Sequence, residues 1–245
     1  MVELLPVEEV GLEAWRGEGP EGVADVYLTS GDALGKLTSL PRWGPFSSLT
    51  IGVEGIWNYA IVPDVLAEDL FALADRLDPE SCLGLALHIA TAIAEMHERG
   101  QSHGALHPSC VGLDTDGNLS IRPAIGRSAA VEPDPEAPAQ ATDCLHFATL
   151  LEALQIDRLD DTSIALIMRG LARDTARRRI HPGRAVRQSL AAVLHRVGDW
   201  EASLTSALGA HWALDSRPWH EATPSAGTIA PAVVVAVESI DEEPA

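Results

Sequence analysis

At 245 residues, 46% of them hydrophobic, the chain can form one full-sized domain with a substantial core, or two small ones. Its net charge is −19, from 17 basic and 36 acidic residues, and so acidic a surface repels phosphate backbones and anionic lipid. Nucleic acid and membrane surfaces are therefore not expected as partners. Aromatic residues make up only 4% of the chain, with Ala and Leu dominating the apolar set, which favours helices over a β-sandwich.

The opening stretch MVELLPVEEVGLEAW carries no basic region followed by a long apolar one, so a signal peptide is not expected. No run reaches the length needed to span a bilayer. Three cysteines, Cys82, Cys110 and Cys144, are an odd and sparse set that fits reduced thiols in the cytoplasm.

Residues 1–20 are acidic, broken by Gly and Pro, with a weak helical pattern at Val7, Val10, Leu12 and Trp15. Between 23 and 65 the runs VADVYL, SLTIGV and NYAIVPDV alternate with Gly and Pro breaks and predict a small antiparallel sheet. From 66 the character changes. PESCLGLALHIATAIAEMHERG (79–100) has helical apolar spacing, a Pro-Glu start and a Gly stop. Two short strands, VGLD and LSIRP, follow around a turn at Thr115-Asp116-Gly117-Asn118. After the Pro/Ala-rich stretch 131–142, helices are expected near 143–155, 161–173 and 183–197. From about 216 the chain is rich in Pro, Ser, Thr and Ala, with one β-prone run, IAPAVVVAV, before an acidic end. That run reads as a docking strand for its own sheet or a partner's, or as disorder.

Between the long helix and the hairpin stands QSHGALHPSC (101–110). The order of small β region, long helix, His-containing loop, hairpin, Gly and Asp-led helix resembles the protein-kinase fold, specifically bacterial Ser/Thr kinase-like domains. The resemblance covers roughly residues 17–197. It implies an α+β, bilobal architecture with a reduced β-rich N-lobe (1–65), a helical C-lobe (66–200) and a C-terminal tail (201–245).

The family's catalytic loop reads H-R-D-L-K-P-x-N. Here it stands as His103-Gly104-Ala105-Leu106-His107-Pro108-Ser109-Cys110. By that resemblance the catalytic base is replaced by Ala105, the phosphate-neutralising Lys by His107 and a metal-holding Asn by Cys110. The D-F-G signature stands as Ala124-Ile125-Gly126, so the main magnesium ligand is also gone. Fold-supporting positions are kept. The resemblance makes His103 and Ile125 part of an internal stack, Gly126 a sharp turn, Asp143 an acceptor for the loop backbone and Arg178 a structural ion-pair partner, with Glu136 its candidate mate. This is the pattern of a pseudokinase.

In the N-lobe, GEGPEGVADVYL (17–28) resembles the phosphate loop through Gly17, Gly19 and Gly22, yet Glu18, Glu21 and Asp25 would sit near the phosphates and oppose them. The alternative is a surface turn. Lys36 falls near the family's β3 Lys, pointing into a cleft or into solvent. Ile61-Val62-Pro63-Asp64-Val65 resembles the hinge, where Val65 could still donate to an adenine-like ligand. No cofactor is expected, ATP without magnesium being left open.

Other readings compete. His103, His107, Cys110 and Cys144 could suggest zinc; His97, Asp143 and Ser109 could suggest a hydrolase triad. ARDTARRR (172–179) is either a partner patch or a helix C-terminus offsetting its dipole. The expectation is a cytoplasmic, catalytically dead interaction module with a protein partner. A cleft-binding nucleotide sensor, or an active transferase using Asp114 or Asp116, are the rivals.

Overall fold

The structure, a computed structural model, describes residues 2–4, 12–19, 22–29, 45–47, 50–63, 66–104, 106–123, 125, 139–156, 182–197 and 200–209. It is a mixed α+β chain with two antiparallel sheets and a helical core. Strands β1 (Val2–Leu4), β2 (Leu12–Gly19), β3 (Gly22–Thr29), β4 (Thr50–Glu54) and β5 (Trp57–Val62) form the larger sheet in the order β1-β2-β3-β5-β4. Strands β6 (Leu66–Asp69), β7 (Val111–Asp114) and β8 (Leu119–Ile121) form the smaller one.

The weak helical pattern over residues 1–20 does not produce a helix at Leu12–Gly19. Tertiary pairing overrides it: β2 runs antiparallel to β3 from Leu12↔Thr29 to Gly19↔Gly22. The period of two then decides which side chains face inward. Ala14 is fully buried opposite Tyr27, while Glu13 is exposed. On β3 and β5 the same inward face carries Asp25, Tyr27, Thr29, Ala60 and Val62. The run NYAIVPDV ends as a strand at Val62, because Pro63 has no N–H to continue the ladder.

Helix α1 (Leu70–Arg76) is capped by Asp69, whose Oδ1 accepts from Ala72 N at 3.0 Å. The long helix α2 (Pro79–Glu98) starts where the sequence places it. Asp78 accepts from Ser81 N at 2.9 Å, Pro79 stands at the first helical position, and Gly100 beyond the end adopts φ +75°. Its residues 81–90 are all buried, so this helix is the axis of the core rather than an amphipathic cover. A fully buried Leu contributes about 1.5–3 kcal/mol, and α2 supplies Leu83, Leu85 and Ile89 with essentially no exposure.

Around α2 pack α3 (Ala139–Ala153), α4 (Pro182–Val197) and α5 (Trp200–Leu208). Helix α3 begins about four residues before the expected start. Gln140 Nε2 donates to the carbonyls of His97 and Gln101, at 3.0 and 3.2 Å, and ties the first turn to the end of α2. Composition places residues 201–208 with the tail, but they complete α5, whose Leu204 is fully buried. Trp200 lies over Gly84, where a Cβ would come within 2.6 Å of the indole. The expected helix at 161–173 lies outside the described residues.

Pro45, Phe46 and Ser47, ahead of β4, run beside β8 and tie that segment to the smaller sheet, with Ile121 N donating to Pro45 O at 2.7 Å and Ser47 N to Ile121 O at 3.0 Å. Within the smaller sheet β6 comes very close to β7. A Cβ on Gly112 would overlap the Glu68 carbonyl oxygen and sit 2.8 Å from Asp69 Cα. Both are backbone atoms that cannot rotate away. Gly112→Ala should therefore cost about 3 kcal/mol, measured as a lower urea midpoint at unchanged m-value.

Candidate functional site

The loop between α2 and β7 is built around Asp143, which is wholly buried near the start of α3. Its Oδ2 accepts from His103 N at 2.8 Å and its Oδ1 from Gly104 N at 2.6 Å. His97 Nε2, from the last turn of α2, donates to the same Oδ2 at 2.9 Å. One carboxylate thus satisfies two loop amides and a histidine. Gly104 takes φ +83°, a conformation that lets consecutive amides converge on a single acceptor and that only Gly adopts without cost.

The His103 ring is buried. Its Nε2 lies 3.1 Å from the Arg122 carbonyl oxygen, which can only accept, so Nε2 carries the proton. Burial pushes the His103 pKa below its ordinary 6.5, against the opposing pull of Asp143 and of this hydrogen bond, and keeps the ring neutral at pH 7. The Phe46 ring lies beside it, centroids 6.4 Å apart.

From Arg122 the network crosses to the larger sheet. Arg122 N donates to Cys110 O at 2.7 Å, and its guanidinium Nη2 donates to Asp25 Oδ2 at 2.6 Å. Arg16 reaches Asp25 from β2, through Nε to Oδ1 at 2.8 Å and Nη2 to Oδ2 at 3.2 Å. Asp25 is 1% exposed and the Arg122 side chain 8%. Burial alone would raise the Asp25 pKa, but the two guanidinium groups outweigh it and hold the carboxyl below its ordinary 3.8. In a phosphate loop, Asp25 would sit near the phosphates and oppose them; in a surface turn it would meet solvent. Instead it faces the interior, because it shares the inward phase of Tyr27 and Thr29, and there a carboxylate must meet cations.

The result is an unbroken polar path through Arg16, Asp25, Arg122, His103, Asp143 and His97, running from β2 to α2. Sequence reasoning named His103 and Asp143 and missed Arg16 and Arg122. The available signal was an acid in the inward phase of an apolar strand.

The remaining candidates do not converge on chemistry. His107 caps the 3-10 turn Pro108–Cys110; its Nδ1 accepts from Ser109 N at 3.2 Å and pairs with Ser109 Oγ at 2.7 Å. The triad suggested by His97, Asp143 and Ser109 is thus broken, since Ser109 turns to His107, and His97 Nδ1 is buried without a hydrogen-bond partner among the described residues. Cys110 and Cys144 are buried thiols. Asp114 accepts from Asp116 N at 2.9 Å and Asn118 N at 2.8 Å, which commits it to the hairpin turn. Among the described residues no group of three or more His, Cys, Asp or Glu is placed to hold a metal ion.

The described loop positions 107 and 110 offer magnesium no suitable donor. A buried thiol at 110 and a histidine already used as a cap at 107 are poor donors for a hard cation that demands oxygen ligands. Ile125 is buried. Lys36, Val65, Ala105, Ala124, Gly126 and Arg178 lie outside the described residues, as do the basic stretch 172–179 and residues 210–245. Among the described residues, no helix is long and apolar enough to cross a membrane. The chain matches no protein-family model and no curated protein.

Proposed function

We propose that this chain is a catalytically inactive, protein kinase-like domain that works as a protein-interaction or regulatory scaffold. One observation carries the reading. Asp143 holds the backbone of the 103–110 loop through two hydrogen bonds, while the loop's own side chains are committed to capping and packing. Keeping a buried carboxylate is costly unless every partner is in place. A chain that maintains such a framework around Ala105, His107 and Cys110 keeps the shape of the loop for something other than proton or phosphoryl transfer. Three buried thiols fit a reducing compartment such as the cytoplasm. Its partner is a protein.

The test is direct. Incubated with ATP and magnesium, the chain should release no phosphate and label neither itself nor a generic acceptor protein. Thermal unfolding with ATP, ADP or adenosine, with or without magnesium, should move by less than about 1 °C. Autophosphorylation that disappears in Lys36→Ala would overturn the proposal, and a clear upward shift with any nucleotide would convert the scaffold into a sensor.

A further inference from the structure

An antiparallel sheet with one face on a core commonly turns polar side chains to the other face. The larger sheet reverses that order. Its inward phase includes Arg16, Asp25 and Thr29, whereas the opposite phase carries Trp15 on β2, Val26 and Leu28 on β3, and Trp57, Tyr59 and Ile61 on β5. The pairings Trp15↔Val26, Val26↔Ile61 and Leu28↔Tyr59 set these side chains beside one another as one patch. Tyr59 lies over Gly52 of β4, where a Cβ would overlap its ring, so the aromatic surface continues to the edge of the sheet. None of these six side chains is buried. Tyr27 is 9% exposed and Ala60 and Val62 not at all, but the alternate residues on the same strands keep part of their surface open and Trp57 reaches 43%. Single exposed apolar residues mean little, whereas a contiguous group of this kind marks a binding surface.

Charge selects the occupant. Among the described residues the charges in this outward phase are Glu13, opposite Leu28, and Glu54, opposite Trp57, both acidic and both exposed. The chain as a whole carries −19. A second copy would bring like charges together, whereas a cationic rim would meet opposite ones. Backbone geometry narrows the choice further. Strand N–H and C=O groups lie in the plane of the sheet, so this face offers side chains alone. An occupant must satisfy its own backbone, as a helix does.

We infer that the outer face of the larger sheet docks an amphipathic helix of a partner protein, with its apolar stripe on Trp15, Val26, Leu28, Tyr59, Ile61 and Trp57 and its Lys or Arg flanks near Glu13 and Glu54. Trp15 and Trp57 are the anchors, since large aromatic side chains carry most of the energy of such contacts. The inference rests on the interaction role proposed above and names the surface that serves it. Docking can fail while phosphoryl transfer stays absent, so the two readings fall to different results.

The probe is a labelled peptide of about 18 residues, Leu and Lys only, with Leu at helical spacing, titrated with the full-length chain by fluorescence anisotropy. It should bind. A Leu/Glu peptide of the same pattern, or the Leu/Lys peptide in scrambled order, should bind at least ~10-fold more weakly. Trp57→Ser and Trp15→Ser should each weaken binding at least ~10-fold, while Phe71→Ser, at an exposed apolar position on α1, should leave it unchanged. Thermal unfolding of each variant beside the parent separates lost docking from lost folding, and the more exposed Trp57 keeps the test open if Trp15→Ser fails to fold. No binding, equal affinity for the scrambled peptide, or unchanged affinity in Trp57→Ser overturns the proposal. So does a parent dimer that Trp57→Ser reduces to a monomer, which would place a second copy on the face.

Discussion

Asp143→Ala should lower the stability of the chain by about 4 kcal/mol, read as a loss of urea midpoint or as failure to fold near 37 °C. The physical argument rests on what is left behind. Removing the carboxylate strips the acceptor from His103 N and His97 Nε2, both buried, and from Gly104 N at the more exposed edge of the loop. Each stranded buried donor costs about 1–3 kcal/mol, and a domain has only about 5–15 kcal/mol in total. Asp143→Asn separates geometry from charge. It keeps one carbonyl oxygen but aims an NH2 group at donors, so it should recover less than half of the loss. His97→Phe removes one donor together with its need for an acceptor, and should cost much less than either Asp143 change. If Asp143→Ala proved as stable as the parent, the loop would not be held by this carboxylate, and the functional reading would lose its support.

Asp25→Ala should destabilise the chain by about 3–5 kcal/mol, because it leaves the Arg122 guanidinium buried without its carboxylate. The paired change Asp25→Leu/Arg122→Met removes both charges at once and should recover most of that loss, since an apolar pair fills such a site without a desolvation penalty. A double-mutant cycle measured by urea unfolding gives the coupling. The pH dependence follows from the same carboxyl. Its folded pKa lies below the ordinary 3.8, so its contribution is complete above about pH 4 and is lost as pH falls through the folded value. The parent chain should therefore weaken on acidification below that point, and Asp25→Leu/Arg122→Met should weaken less steeply. The exposed pairs Arg76–Glu68 and Arg184–Glu98 make useful controls, worth about 0.2–1 kcal/mol each.

These two carboxylates show how far the sequence could be read. Asp143 was open to reasoning only through a resemblance: a His loop followed by an Asp-led helix resembles the kinase order, which implies an acceptor for the loop backbone there. Asp25 was not. Its flanking residues are Ala24 and Val26, in a Gly-containing run that resembles a phosphate loop or a surface turn, whereas its neighbours in space are Arg16 at nine residues and Arg122 at ninety-seven. A pairing of that range leaves no trace in local composition.

The amino-acid order alone determined the axis of the molecule. Asp78-Pro79 at one end, Gly100 at the other and an apolar run between them fix α2, since caps and periodicity act over a few residues. It also determined the hairpin around Asp116-Gly117. Only the tertiary structure decided that Leu12–Gly19 is a strand, that Leu66–Asp69 joins the hairpin and that Trp200–Leu208 closes over Gly84. Each depends on a surface supplied by distant residues. Hydrogen bonding across a sheet and burial against a neighbouring helix are settled by what folds alongside, and a short segment with weak preference takes whichever conformation that surface completes.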